Sequence, residues 1–315
     1  MLTLCSIHQA MPGVRARFEG YSFSLNLQAY IGRSVMTDVE AVRDHFARLV
    51  EMPENEIDLV EGALLIARTA HPEIVSSRYA ELLDCWADRL RQRMDTTSSP
   101  GKMLQALNRI LFEEEGLRGN SENYYDPRNS FLNRVMERKL GIPITLSLIY
   151  SEVGRRAGFP VYGYALPGHF MAGLMHTSGM LYVDTFNEGE ILGEKECRER
   201  LAALYGGRVT AADSSWKIPA SKRSILCRML RNLKGIYRQL GDDLNCLEMI
   251  QWILCIEPDA PAELKDRGFL YETMGNDAYA LRDLEHYLKV APQTEDNETV
   301  VLKIRQLRKS KRWMH

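Results

Sequence analysis

The 315-residue chain predicts an α+β fold in three parts: a helical N-terminal region, an α+β core carrying a small antiparallel sheet, and C-terminal α-hairpins. Three patterns lead there. Apolar residues recur at helical spacing over residues 37–93, a helix followed by period-two alternation occupies residues 143–184, and a repeat of 34 residues fills the last third. Domain limits are expected at 1–95, 96–215 and 216–315.

In the first part, Val60, Leu64, Ala67 and His71 trace one stripe and Tyr79, Leu82, Leu83, Trp86 and Leu90 another, as packing helices require. Thr96-Thr97-Ser98-Ser99-Pro100-Gly101 is linker or helix-start material. Met103, Leu107, Ile110 and Leu111 then resume helical period up to Gly116. Glu113-Glu114-Glu115 reads as a solvated helix end rather than as acid/base carboxylates.

The segment from Gly141 to Pro160 reads as turn, helix and exit. Leu146, Ile149, Tyr150, Val153 and Ala157 share a face, Pro143 suits the first helical position because its missing N–H is no loss there, and Gly158 suits the C-terminal cap. Strands are expected over 161–165, 169–174 and 180–184, with Thr177-Ser178-Gly179 as the turn and two of them antiparallel. A hairpin centred between His176 and Thr177 places His169 opposite Asp184 and Met171 opposite Tyr182 on one face, leaving Phe170, Ala172, Leu181 and Val183 to face the core. A histidine beside a carboxylate is how a base and its orienting acid are presented in Cys-His-Asp sites.

In the last third, Tyr237, Gly241, Asp243, Cys246, Ile250, Ile253 and Pro258 recur as Tyr271, Gly275, Asp277, Ala280, Leu284, Tyr287 and Pro292. That is the tetratricopeptide period. Gly268 fits the small first-helix position, whereas its counterpart Lys234 does not. Two copies need support at both ends, so residues 299–308 are expected to cap the stack and the core to hold its other side.

A formal charge of −2 and 45% hydrophobic residues describe an ordinary soluble chain and give no global attraction to nucleic acid or membrane. No run approaches a membrane span, and the N-terminus lacks a basic region followed by a long apolar one, so a cytoplasmic location is expected. Six scattered cysteines, Cys5, Cys85, Cys197, Cys227, Cys246 and Cys255, form no metal or redox spacing and read as free thiols. With no phosphate loop, dinucleotide fingerprint or HExxH, no cofactor is implied. His169, His176 and Asp184 make a poor metal set, because His176 falls in the expected turn. The basic end, Lys303 to Arg312, reads as a solvated face, with weak, salt-sensitive contact to RNA, DNA or an acidic partner as the alternative, and nucleic acid is not the expected partner.

Three stretches carry a family resemblance: Asn123-Tyr124-Tyr125-Asp126-Pro127-Arg128-Asn129-Ser130-Phe131-Leu132, Arg138 to Ser147, and Leu166-Pro167-Gly168-His169-Phe170. They resemble the bacterial SirB family, which joins a transglutaminase-like (papain-like) core to a tetratricopeptide tail; a related core resembles part of certain eukaryotic F-box proteins. Asp184-Thr185-Phe186-Asn187 departs from that family's usual Asp-Pro-Phe. Laid on active transglutaminase-like enzymes, the resemblance puts their histidine at His169, their aspartate at Asp184 and their cysteine at Pro143. It implies a protein-binding or regulatory adaptor on a scaffold without its nucleophile, taking a protein or peptide in the cleft or the repeat groove. Binding is expected at Pro143, Asn129, Gly168, Tyr182 and Asn187, and in the repeats at Tyr237 and Tyr271. The alternative is a cryptic hydrolase or acyl transferase with His169 as base, Asp184 as orienter, and water or Ser147 as nucleophile.

Overall fold

Local capping chemistry sets several helix limits in the computed structural model, which describes residues 39–94, 99–176, 179–204, 217–291 and 296–312. Cys5 with the N-terminal segment, Thr96-Thr97-Ser98, Thr177-Ser178 and Pro292 lie outside the described residues. Helix α1 covers 39–51. Asp58 starts α2 (Leu59–Arg68) by accepting the Glu61 N–H at 3.0 Å. Helix α3 (Ser76–Arg93) buries Tyr79, Leu83, Trp86 and Leu90, the expected stripe. Ser99 caps α4 (Pro100–Asn108), which places Pro100 at its first turn.

Two expectations for the next segment are corrected. Residues 109–114 wind as a π-helical turn rather than continuing the α period. Glu114 and Glu115 are not simply solvated: Arg89 contacts both, Arg93 bonds Glu114 at 2.9 Å and Lys139 bonds Glu115 at 3.1 Å. Carboxylates at a turn facing cations on a neighbouring helix lock the two together.

Strand β1 (Arg118–Gly119) pairs in parallel with β2 (Leu140–Gly141), on either side of a polar loop, a 3-10 turn (Pro127–Asn129) and helix α5 (Leu132–Arg138). Helix α6 (Pro143–Arg156) begins at Pro143, and Gly158 follows it with φ of 91°, a left-handed conformation that glycine adopts without cost. Every residue from Pro143 to Gly154 is buried.

The sheet has four strands in sequence order, β3 (Tyr162–Leu166), β4 (His169–His176), β5 (Gly179–Asp184) and β6 (Glu190–Gly193), where three strands, two of them antiparallel, had been expected. The β4–β5 register is shifted by two residues from the expected one. Ala172 pairs with Val183, Gly173 with Tyr182 and His176 with Gly179, so Asp184 falls level with Met171 instead of His169. A shift by two keeps every side chain on its expected face. Both faces are nevertheless buried: Met171, Tyr182 and Leu192 form a core with Cys197 on helix α7 (Glu194–Leu204), while Phe170, Ala172 and Val183 occupy the other side.

Two helical hairpins follow, α8 (Lys222–Leu240) with α9 (Asp243–Ile256) and α10 (Pro261–Thr273) with α11 (Asp277–Val290). Gly241 and Gly275 turn the chain with φ of 68° and 75°. Cys246 and Ala280, at the expected helix crossings, are 1% and 0% exposed. At Gly268 a β-carbon would stand 2.7 Å from Leu284, which shows why this position stays small. The first copy solves the same place differently, with Lys234 reaching Glu263 and Asp266 on α10 at 3.3 and 3.1 Å. Helix α12 (Asp296–Arg312) caps the stack through buried Val300, Ile304 and Leu307.

Residues His45–His315 form one unit. Leu226 on α8 fills the space over Gly62 on α2, Arg223 donates to the Val50 carbonyl at 2.7 Å, and Phe46 meets Trp252 at 4.7 Å between ring centres. The tail is thus supported by the N-terminal helices as well as by the sheet. Among the described residues no helix is long and apolar enough to cross a membrane.

Candidate functional site

The start of α6 is built around residues that cannot act as nucleophiles. Pro143 is buried at the first helical position. Thr145 accepts the Ile142 N–H at 3.1 Å and donates to the Asn129 carbonyl at 2.9 Å, which ties the helix start to the polar loop. Ser147 is 0% exposed, with its hydroxyl 2.8 Å from that of Thr185 and 3.4 Å from the Phe170 carbonyl. A nucleophile must meet substrate, and the packing of α6 against β4 and the 185–187 turn denies Ser147 that access.

At the end of β5, Asp184 caps a 3-10 turn (Thr185–Asn187), accepting the Phe186 and Asn187 N–H groups at 3.2 and 3.3 Å. His169 Nε2 lies 3.0 Å from Asp184 Oδ1. The two are diagonal neighbours across the ladder, within reach of an imidazole. Asn187 Nδ2 donates to Asp184 Oδ2 at 2.8 Å and Arg200 Nη1 to the same oxygen at 3.0 Å. Asp184 is 1% exposed. Burial pushes its carboxyl pKa up, but the hydrogen bond and charge of His169 and the bonds from Asn187 outweigh burial and hold it below the ordinary carboxylate value. An ionised carboxylate only accepts, so Nε2 carries the proton and Nδ1 is the acceptor of the neutral ring.

Asn108 fixes the turn from behind: its Nδ2 donates to the Gly189 carbonyl at 2.6 Å and its Oδ1 accepts from Tyr150 at 2.8 Å. Gly189, with φ of 81°, has Asn108 where a β-carbon would stand. From α8, Arg228 donates to the His169 and Leu166 carbonyls at 2.9 and 3.4 Å and covers the Phe170 ring at 5.5 Å. Asn108, Arg200 and Arg228 escape sequence reasoning because each comes from a distant element.

An aromatic shelf adjoins the pair. Tyr124 meets Phe186 at 5.9 Å and Tyr125 at 5.3 Å, each edge to face, with the two tyrosines 38% and 62% exposed. Asn129 makes the loop rigid: it accepts from Asn120 at 3.1 Å and Arg138 at 3.3 Å and donates to the carbonyls of Asn123 and Tyr124 at 2.8 and 3.2 Å. Beside the shelf, Arg118, Gly119, Ser121, Phe186, Asn187 and Glu188 line an open cleft of about 380 Å³.

Of the expected binding residues, Gly168 and Asn187 are exposed near His169, Gly168 in the β3–β4 turn with φ of 59°. Asn129 and Tyr182 are each 0% exposed and support the site from within, because their side chains are committed to the loop and to the core against Tyr164. Tyr237 is a core residue of the first repeat, while Tyr271 is half-buried and stacks on exposed Tyr279 at 5.2 Å. Cys197, the cysteine nearest in sequence to the His169–Asp184 pair, is 0% exposed, and burial pushes it up to about 11. Among the described residues no group of His, Cys, Asp or Glu could hold a metal ion.

Comparison with known proteins agrees with this layout. Residues 77–231 match the transglutaminase-like superfamily and residues 233–306 the tetratricopeptide repeat. A UPF0162 protein of Xylella fastidiosa (strain Temecula1) is 38% identical over 254 residues, covering 80% of this chain and 90% of the relative. One from Vibrio cholerae is 26% identical over 238 residues, 75% of this chain and 87% of the relative. F-box only protein 21 of Mus musculus is 29% identical over 185 residues, 55% of this chain but 28% of that protein. A SirB-like chain in which a transglutaminase-like domain runs into tetratricopeptide repeats, it belongs to the UPF0162 family.

Proposed function

We propose that the protein is a cytoplasmic adaptor that uses a transglutaminase-like scaffold, without its nucleophile, to hold a peptide segment of a partner protein. One observation carries this reading: the α6 start, where the resemblance would put a cysteine, holds buried Pro143, while the His169–Asp184 hydrogen bond beside it is intact at 3.0 Å. Such a pair can recognise without reacting. His169 Nδ1 would accept a hydrogen bond from the ligand, and the rigid Tyr124–Tyr125–Phe186 shelf would receive an apolar side chain at little entropic cost.

The same intact pair favours one second reading, a hydrolase in which His169 activates water. Ser147 does not fit that role, since its hydroxyl is buried and occupied. Binding from a peptide array, measured for wild type, His169→Ala and Tyr124→Ala, separates the readings when each captured peptide is also followed by mass spectrometry. The adaptor reading expects retained, intact peptide that both substitutions weaken. Cleavage by wild type that disappears in His169→Ala would establish the hydrolase instead.

A further inference from the structure

At the far end of the tail, α11 and α12 enclose a groove of about 350 Å³ whose lining includes Leu288, Lys289, Val301, Ile304, Arg305 and Arg308. Its volume lies in the range of ligand-binding clefts, about 300–1,000 Å³. Leu288 and Lys289 are neighbours on one helix, and Val301, Ile304, Arg305 and Arg308 recur at i, i+3, i+4 and i+7 on the other. Each wall is therefore one helix face, with an aliphatic floor and a charged rim. Ile304 is 5% exposed and packed into the cap, while Leu288 and Val301 are half-buried.

The rim carries an excess of positive charge. Glu285 is the single acid of the lining and is already paired with Arg308 at 2.7 Å. Among the described residues neither Lys289 nor Arg305 takes part in an ion pair, and both are exposed. Two cations on opposite walls above aliphatic side chains, with no ion-pair partner among the described residues, complement a ligand with apolar residues on one face and carboxylates flanking them. Single-stranded nucleic acid would instead call for aromatic stacking, which this floor of Leu288, Val301 and Ile304 does not offer.

We propose that this groove is a second docking site, separate from the His169 cleft, and that its occupant is an acidic amphipathic α-helix of a partner protein. The helix lies along α11 and α12 as a further helix of the stack would, with leucine-like residues at i, i+3 or i+4, and i+7 over Leu288 and Val301. Its carboxylates meet Lys289 and Arg305. The span from Val301 to Arg308 corresponds to about 10 Å of helix axis, so about two turns of the partner make the contact.

The test uses the full chain and a fluorescein-labelled, side-chain-stapled helical peptide of about fifteen residues with leucines on one face and glutamates flanking them. A lysine-for-glutamate version and an oligouridylate serve as competitors. Anisotropy should show binding of the acidic peptide that weakens as salt is raised and is not competed by either alternative. Lys289→Glu and Arg305→Glu together should weaken it by about tenfold or more with an unchanged circular-dichroism melt. His169→Ala should leave it unaltered, so failure of the cleft reading and failure of this one give different results. Equal binding of the lysine peptide, tighter binding of the oligouridylate, or indifference to the double charge reversal overturns the proposal. Self-association of the chain that the same reversals abolish would assign the groove to a second copy and equally overturn it.

Discussion

Arg200 bonds Asp184 at 3.0 Å through one guanidinium nitrogen and Glu190 at 2.7 Å through the other. The carboxylate that orients His169 is thereby held from the opposite side, by a helix that begins only after β6. Loss of Arg200 should therefore reach the cleft without touching it. Arg200→Ala should alter the His169 ring resonances in NMR and reduce peptide capture, with a modest loss of stability of about 1–2 kcal/mol from the lost charged hydrogen bonds.

Asp184 makes stability depend on acid. Its folded-state pKa is below the unfolded value of about 3.9. The native state therefore gains a contribution that is present above the unfolded pKa and lost as pH falls through the folded one. Melting curves should show wild type losing stability more steeply below about pH 4 than Asp184→Asn. Equal slopes would show that Asp184 is not linked to folding.

Pro143→Cys tests the ancestry of the helix start. A thiol at the first position of α6 faces the positive end of the helix dipole, which favours the thiolate. The native background is low where burial dominates, since Cys197 and Cys227 are pushed up to about 11 and about 12. In a Cys85→Ser background, a small alkylator such as iodoacetamide should modify the new thiol several times faster than any native one, as read by peptide mass spectrometry. Ordinary reactivity would mean that the helix start has no enzyme-like environment.

Ala280→Phe should destabilise the tail by about 1–3 kcal/mol through overpacking at a position with 0% exposure. Gly268→Leu should act in the same direction by driving a side chain into Leu284. Thermal melts would register both, and an unchanged melt for Ala280→Phe would exclude the 34-residue register.

Asn129→Ala should cost about 1–2 kcal/mol, because the loop loses two donations to the carbonyls of Asn123 and Tyr124 and buried Asn120 loses its acceptor. Hydrogen exchange should quicken in residues 120–126 while α6 stays protected. Uniform loss of protection would mean that Asn129 stabilises the whole unit and not the loop.

What could be read from the chain was what depends on neighbours. Pro143 and Gly158 delimit α6, and the 34-residue repeat places Gly241 and Gly275 at two left-handed turns, because periodicity and turn chemistry are local. Register was less legible. A hairpin centre one residue further along moves Asp184 from His169 to Met171 without changing faces, and nothing in Thr177-Ser178 distinguishes the two. Strand β6 is four residues long and bounded by Gly189, too short for alternation to register. The face distribution misled as well, since α7 covers the side of the sheet expected to be open. In the site, His169 and Asp184 were picked out by the hairpin pattern and again by the resemblance, whereas Asn108, Arg200 and Arg228 come from separate elements and leave no pattern in sequence.

Helix α8 belongs to two structures at once. The transglutaminase-like match ends at residue 231 and the tetratricopeptide match begins at 233, both inside the single helix Lys222–Leu240. Its first turns are bolted to the N-terminal helices by Lys222 and Arg223 and to the β3–β4 turn by Arg228, and its later turns hold the second repeat through ion pairs of Arg231, Lys234 and Arg238 with Glu263 and Asp266 on α10. A rod with no loop at the junction has no hinge. A load placed on the repeats would therefore fall on α8 and on its contact with the backbone carbonyl of His169.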